Sequence, residues 1–322
     1  MGREHQHKAV TLCLRRSLSD YFGLALTILL LAALAPFTPG LLSKSNLLNV
    51  VAYLLPLLIV AIGMTLVMIT GGIDLSVTSI IALTSVVGAK VMTTSAQSPF
   101  VGIIAMLALG ATIGAANGAI ITLLRLPAFI VTLASMMFIS GFAVWFTQSK
   151  NIDQLPPAFL AIGQRLPIAA ILAIAVAALA AYLLRNTIYG RWLYAIGHNS
   201  TAALISGVPV RRVTFAAYIA SGLCAAVASV ILTGRLETAS PVLGREMLLD
   251  IIGATVIGGI SLFGGKGKIS WTFFGVLFLV ALDNALNLLN LSQFAITITK
   301  GCGILLAATL DALRQRWGLN TT

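Results

Sequence analysis

Residues 100–124 read FVGIIAMLALGATIGAANGAIITLL, 25 positions without one charged side chain. A helix needs about 20 apolar residues to cross the hydrocarbon core of a bilayer, and this run supplies them. It lacks the two-residue alternation of a barrel strand, so its backbone must satisfy its own hydrogen bonds as a helix. Similar runs fill the rest of the chain. Hydrophobic residues make up 59% of the 322 positions and charged residues 9%. A water-soluble domain of this size needs far more charge to cover its surface. The fold class is therefore all-α, a polytopic helical membrane protein.

Ten spans are expected, at residues 21–36, 47–69, 75–92, 100–124, 128–146, 168–184, 213–233, 247–262, 269–289 and 294–310. The short eighth is the weakest of them. The first is not read as a cleavable signal, because Pro36, Phe37 and Thr38 offer no small-residue cleavage site. Lys and Arg accumulate in cytoplasmic loops. With the N-terminus inside, thirteen of the 20 basic residues fall in inside segments and six in outside ones, while Lys300 lies within a span. Both termini are thus expected in the cytoplasm. The chain divides into an N-terminal tail (1–20), one transmembrane domain (21–311) and a C-terminal tail (312–322).

The formal charge of +11 is spread over short loops rather than gathered into one basic surface, which argues against nucleic acid. Cys13, Cys224 and Cys302 have neither disulfide nor metal-ligand spacing. The loop from Gln148 to Pro167 carries three prolines and is expected to be ordered on the outside. The longest polar stretch, about 186–212, is expected inside. Within it Asn199 is a good N-cap and Gly207 a good C-cap, which predicts a helix of about two turns outside the bilayer. A plain connector is the alternative.

Catalytic and phosphate-binding patterns fail. Counting back from Gly265-Lys266 or Gly267-Lys268 places Ile260 or Leu262 where a P-loop needs Gly, and neither Lys precedes Ser or Thr. His5, His7 and His198 form no zinc pair, and no Gly-x-Ser-x-Gly elbow occurs. Neither an enzyme nor a cofactor is expected. Two turns, Gly71-Gly72-Ile73-Asp74-Leu75 and Gly258-Gly259-Ile260-Ser261-Leu262, share a short pattern. It marks either an internal repeat or two sharp helix stops.

Polar residues inside spans are costly and carry the functional signal. Asp283, Asn284, Asn287 and Asn290 fall within about 120° of helical arc. That stripe is either a hydrogen-bonding rail for a hydroxylated solute or glue between helices. Lys300 needs a carboxylate or carbonyl partner, and Asp283 is the nearest candidate in sequence. Asp74 either caps the third span or, with Ser76, lines a pathway.

Several stretches together resemble the permease subunit of bacterial ABC sugar importers of the ribose, arabinose, xylose and galactose group. They are Gly63-Met64-Thr65-Leu66-Val67, Gly71-Gly72-Ile73-Asp74-Leu75-Ser76-Val77, and Leu126-Pro127-Ala128-Phe129. They continue with Tyr189-Gly190-Arg191, Ala195-Ile196-Gly197-His198-Asn199, Gly258-Gly259-Ile260-Ser261-Leu262-Phe263-Gly264-Gly265-Lys266-Gly267, and Asn284-Ala285-Leu286-Asn287. The resemblance implies several partners: a separate ABC ATPase subunit, a periplasmic sugar-binding protein, and a second permease copy or paralogue forming a dimer in the membrane lipid. It also implies that Gly197, Asn199, Ala202, Ala203, Ser206 and Gly207 form the segment coupled to the ATPase. This chain has Thr78 and His198 where the family often has Gly, Leu248 in place of a frequent Glu, and Asp283 in place of a common Asn. The implied function is import of a monosaccharide across the inner membrane. The alternative is an ion-coupled transporter using Asp74, Asp283 or Lys300.

Overall fold

Proline and capping residues set the helix ends along this chain. In the computed structural model, which describes residues 22–94 and 98–316, helix α1 (Phe22–Leu34) gives way to a single 3-10 turn at Ala35–Phe37, where Pro36 can supply no amide donor. Ser43 then starts α2 (Lys44–Ile69), its hydroxyl accepting the Asn46 amide at 3.3 Å. α3 (Val77–Thr94), α4 (Pro99–Leu124) and α5 (Ala128–Thr147) follow, the last two closed by Arg125 and Gln148 in the left-handed region.

The proline-rich loop contains a short helix, α6 (Pro157–Gln164), and an antiparallel bridge between Ile152 and Ala239. After α7 (Leu166–Asn186) come α8 (Ile188–His198) and α9 (Ser200–Ile205). One short helix was expected in this segment, and two are present. Thr187 caps α8 by accepting the Gly190 amide at 3.3 Å, and Asn199 caps α9 by accepting the Ala202 amide at 2.9 Å. The chain ends in α10 (Val210–Leu236), α11 (Met247–Gly258), α12 (Ile269–Leu288) and α13 (Gln293–Arg316). The tail expected at 1–20 lies outside the described residues, as does 317–322 of the tail expected at 312–322; residues 312–316 instead continue α13.

Among the described residues, seven helices are long and apolar enough to cross a membrane: α2, α3, α4, α5, α7, α10 and α12. The other three expected spans form shorter apolar helices, within α1, α11 and α13. No extended strand occurs among the described residues, only the single bridge. The spans are not equivalent. Of the most apolar window, 78%, 72% and 67% is buried in α2, α3 and α10, against 22%, 22% and 17% in α4, α5 and α7. The first three form the core, and the others turn apolar faces outward.

α10 is the central post, packed on α2, α3, α4 and α6. Small residues let the backbones meet, because packing rather than water exclusion drives helix association in lipid. Gly110, Gly114 and Gly118 recur every fourth position on α4 and seat against Gly222, Tyr218 and Phe215 of α10; a Cβ at Gly110 would lie 2.5 Å from the Gly222 oxygen. Hydroxyl pairs add to this packing: Ser85 of α3 with Thr233 of α10, and Thr65 of α2 with Thr272 of α12, both at 2.7 Å.

Candidate functional site

Two sets of expected site residues separate in space. The first lines a cleft of 810 Å³ walled by α2, α11, α12 and α13. Asp283, Asn284 and Asn287 form one wall, with Asp250 and Lys300 beside them. Lys300 does pair with Asp283, and it also binds Asp250 Oδ2 at 3.1 Å. A carboxylate fifty residues away had no local signal, and Asp250 was missed. A single ammonium thus ties α13 to both α11 and α12.

The stripe on α12 does two different jobs. Asn284 and Asn46 exchange amide hydrogen bonds at 2.8 and 2.9 Å, and Asn46 also donates to the Leu41 carbonyl at 2.8 Å. That reciprocal pair fastens α12 to α2. Asn287, by contrast, is exposed in the cleft and donates to Asp283 Oδ2 at 3.1 Å and to its carbonyl at 2.8 Å.

Asp74 and Ser76 do not border this cleft, nor the 530 Å³ cavity beside α3 and α5. Both are fully buried. Asp74 Oδ1 accepts the Ser76 amide at 3.0 Å and the Ser76 hydroxyl, while Oδ2 accepts the Ser221 hydroxyl at 2.8 Å. Asn117 donates to Ser76 Oγ at 2.9 Å. The expected helix cap is corrected: the backbone bond reaches only Ser76, before the first helical residue Val77, so Asp74 braces the turn itself. The carboxylate ties the turn between α2 and α3 directly to α10, and Ser76 extends the brace to α4. Ser221 and Asn117 were not singled out in the sequence, since nothing local links either residue to the Asp74 turn.

The two glycine turns meet each other. Gly265 donates its amide to the Ile69 carbonyl at 2.9 Å, and a Cβ on Gly264 would lie 2.8 Å from the Gly71 amide nitrogen. Gly197, at the end of α8, fills the same junction: a Cβ there would overlap the Ile69 oxygen and the Gly265 nitrogen. Three chain segments cross where a methyl group cannot fit. Tyr194 of α8 adds a 2.7 Å bond to the Gly267 carbonyl, and Tyr189 bonds the Val213 carbonyl at 3.3 Å. Burial pushes both phenols above their ordinary value, so each stays a protonated donor at neutral pH.

The remaining expected coupling residues sit on α9 and its ends. Asn199 caps it, Ala203 is buried, Ala202 and Ser206 are exposed, and Gly207 takes φ +84° in open space. Val208 closes the end by donating to the Ala203 carbonyl at 3.0 Å. Leu204 and Ile205 stand 62% and 82% exposed beside them, two large apolar side chains on a six-residue helix.

The fold is a bundle of apolar helices long enough to cross a membrane, with a polar cleft at one end of α12 and a capped helix exposing Leu204 and Ile205. The chain belongs to the family described as branched-chain amino acid transport system / permease component, whose model matches residues 46–306. It is 37% identical over 308 residues to a ribose import permease protein of Escherichia coli (strain K12), covering 92% of this chain and 95% of that one. It is 36% identical over 261 residues to an L-arabinose transport system permease protein of the same strain, covering 80% and 79%. A probable ABC transporter permease protein of Sinorhizobium fredii (strain NBRC 101917 / NGR234) is 31% identical over 291 residues, covering 88% and 86%. No solved structure matches the chain.

Proposed function

We infer that this chain is the membrane-embedded permease subunit of an ATP-driven, binding-protein-dependent importer that moves a monosaccharide across the bacterial inner membrane. The observation that carries this reading is the similarity to a ribose import permease over 92% of the chain. The ion-coupled alternative is set aside: the relatives are permeases of import systems, and Lys300 and Asp283 neutralise each other within the cleft. ATP hydrolysis falls to a separate subunit, since the glycine turn at 258–268 cannot cradle phosphate by the P-loop geometry. A binding protein delivers the sugar, and a second copy or paralogue completes the pathway.

With both termini inside, the ends of α2, α11, α12 and α13 that line the cleft face the outside, and the glycine junction and α9 face the cytoplasm. The cleft is then the entry vestibule. Asn287 and Asp283 offer hydrogen bonds that replace water on a polyol, where each unreplaced bond costs about 1–3 kcal/mol. α9 docks on the ATPase through Leu204 and Ile205, and its capped ends make it stiff enough to pass on a displacement. That displacement reaches the spans through Gly197, which touches both the end of α2 and the turn before α12.

The test is reconstitution. The chain, assembled in liposomes with its ATPase and binding protein, should take up radiolabelled D-ribose or another pentose or hexose only when ATP is supplied. Uptake of every sugar in such a panel at the level of empty liposomes would refute the reading.

A further inference from the structure

The cleft carries an unbalanced charge. Its lining holds three carboxylates, Glu246, Asp250 and Asp283, and one ammonium, Lys300. Lys300 is already engaged with both aspartates, so no cation is left over to meet a negatively charged guest. Arg235 does not line the cleft and lies on the ring of Tyr53, a lining residue, 4.0 Å from its centroid. Arg245 points into the neighbouring cavity beside α3. The uncharged polar lining, Asn284, Asn287, Gln293 and Thr297, consists of amides and a hydroxyl.

We propose that this cleft is an electrostatic filter: it admits neutral and cationic polar solutes, such as free sugars and amino sugars, and rejects sugar acids and sugar phosphates. The proposal builds on the reading of the cleft as the solute vestibule. A neutral polyol donates hydrogen bonds from its hydroxyls to the carboxylates, which accept hydrogen bonds and donate none. A carboxylate or phosphate on the solute meets like charge in a groove whose low-dielectric walls focus the field. Lys300 sets the strength of the filter rather than its sign. Without it, two aspartates and Glu246 would stand uncompensated; without the aspartates, it would invert the field deep in the cleft.

The experiment reads the field directly and needs no sugar. Thr297 lies exposed on the cleft wall, its hydroxyl bonded only to the Gln293 carbonyl of its own helix, so Thr297→Cys is a mild change. In a chain whose native cysteines are replaced, this thiol is reacted with methanethiosulfonates carrying either trimethylammonium or sulfonate. The ratio of the two rates is divided by that of a free thiol in the same buffer. The expected ratio favours the cation by about tenfold, equivalent to about 1.4 kcal/mol. Glu246→Gln, at an exposed rim position, should lower it, and Asp250→Asn with Asp283→Asn should lower it further. Lys300→Met should raise it, an opposite shift that general loosening of the fold would not produce. A ratio at or below that of the free thiol overturns the proposal, as does a ratio indifferent to these changes. A thiol unreactive to both reagents overturns it too, by showing that water does not fill the cleft. ATP-driven sugar uptake is measured separately, so the filter can fail while the transport reading stands.

Discussion

Gly197 sits in helix α8, where alanine is ordinarily better by about 1 kcal/mol. Propensity alone therefore predicts that Gly197→Ala stabilises the chain. The junction predicts the reverse. The new Cβ would overlap the Ile69 oxygen and the Gly265 nitrogen and lie 3.0 Å from the Gly265 Cα, where ordinary contact begins at 3.4 Å. These are backbone atoms, fixed by the 2.9 Å bond between the Gly265 amide and the Ile69 carbonyl. Overpacking a tight site costs about 1–3 kcal/mol. Prising that bond apart adds about 1–3 kcal/mol for buried groups left unpaired. Subtracting the propensity gain leaves a net loss of about 1–5 kcal/mol.

Membrane proteins commonly unfold irreversibly, so purified variants are compared at one scan rate by the loss of monodisperse protein on heating. Gly197→Ala should melt several degrees below the parent, and ATP-driven uptake should fall in the variant that survives. Gly207 is the control, because its constraint is conformational: φ is +84° and the space around it is open. Gly207→Asn should be tolerated and Gly207→Val should cost about 1–2 kcal/mol, whereas no side chain is tolerated at Gly197. A Gly197→Ala chain as stable and as active as the parent would show that the three segments do not meet as described.

Asn284→Leu should destabilise the bundle by about 1–3 kcal/mol because it strands the Asn46 amide, and adding Asn46→Leu should recover part of the loss in the same melting assay. Asn287→Leu, in the open cleft, should leave melting nearly unchanged and lower sugar uptake; wild-type uptake would assign the stripe to packing alone. A cysteine at Ser200, with the native cysteines replaced, should resist an impermeant thiol reagent in intact cells and react in inverted vesicles, and labelling from outside would reverse the topology. The purified chain alone should hydrolyse no ATP above an empty-vesicle control, and measurable turnover would contradict the assignment of that step to another subunit.

What could be read from the sequence is what local chemistry decides. The apolar runs announce their helices because lipid leaves the backbone no other partner. Asn199 and Gly207 announce the ends of α9 because a cap acts over only three or four residues. α8 escaped because Gly190 and Gly197 look like turn residues. They sit inside a helix for a reason only the tertiary structure supplies: each lies against another backbone, Gly190 against the end of α7 and Gly197 against α2. The shared Gly-Gly pattern was visible, but not that the turns at 71 and 264 touch. The site shows the same limit. The arc holding Asp283, Asn284 and Asn287 is a property of one helix and could be drawn from spacing. Its division into a fastener and an open cleft wall depends on Asn46, 238 residues away, and on Asp250, fifty residues from Lys300.

This division bears on motion. α2, α3 and α10 are joined by the Ser85–Thr233 hydroxyl pair, the Ser229 bond to the Ile81 carbonyl, close glycine contacts and the Asp74 brace, interactions that separation would leave unpaired in a nonpolar interior. α13 meets its neighbours far more sparingly, and among the described residues Lys300 is its one ion-paired tie to α11 and α12, at the edge of an open cleft where water can replace the partners. The cost of moving α13 is therefore smaller than that of parting the core helices. A ligand or partner that changes the shape of this bundle would act first at the cleft and last at the post.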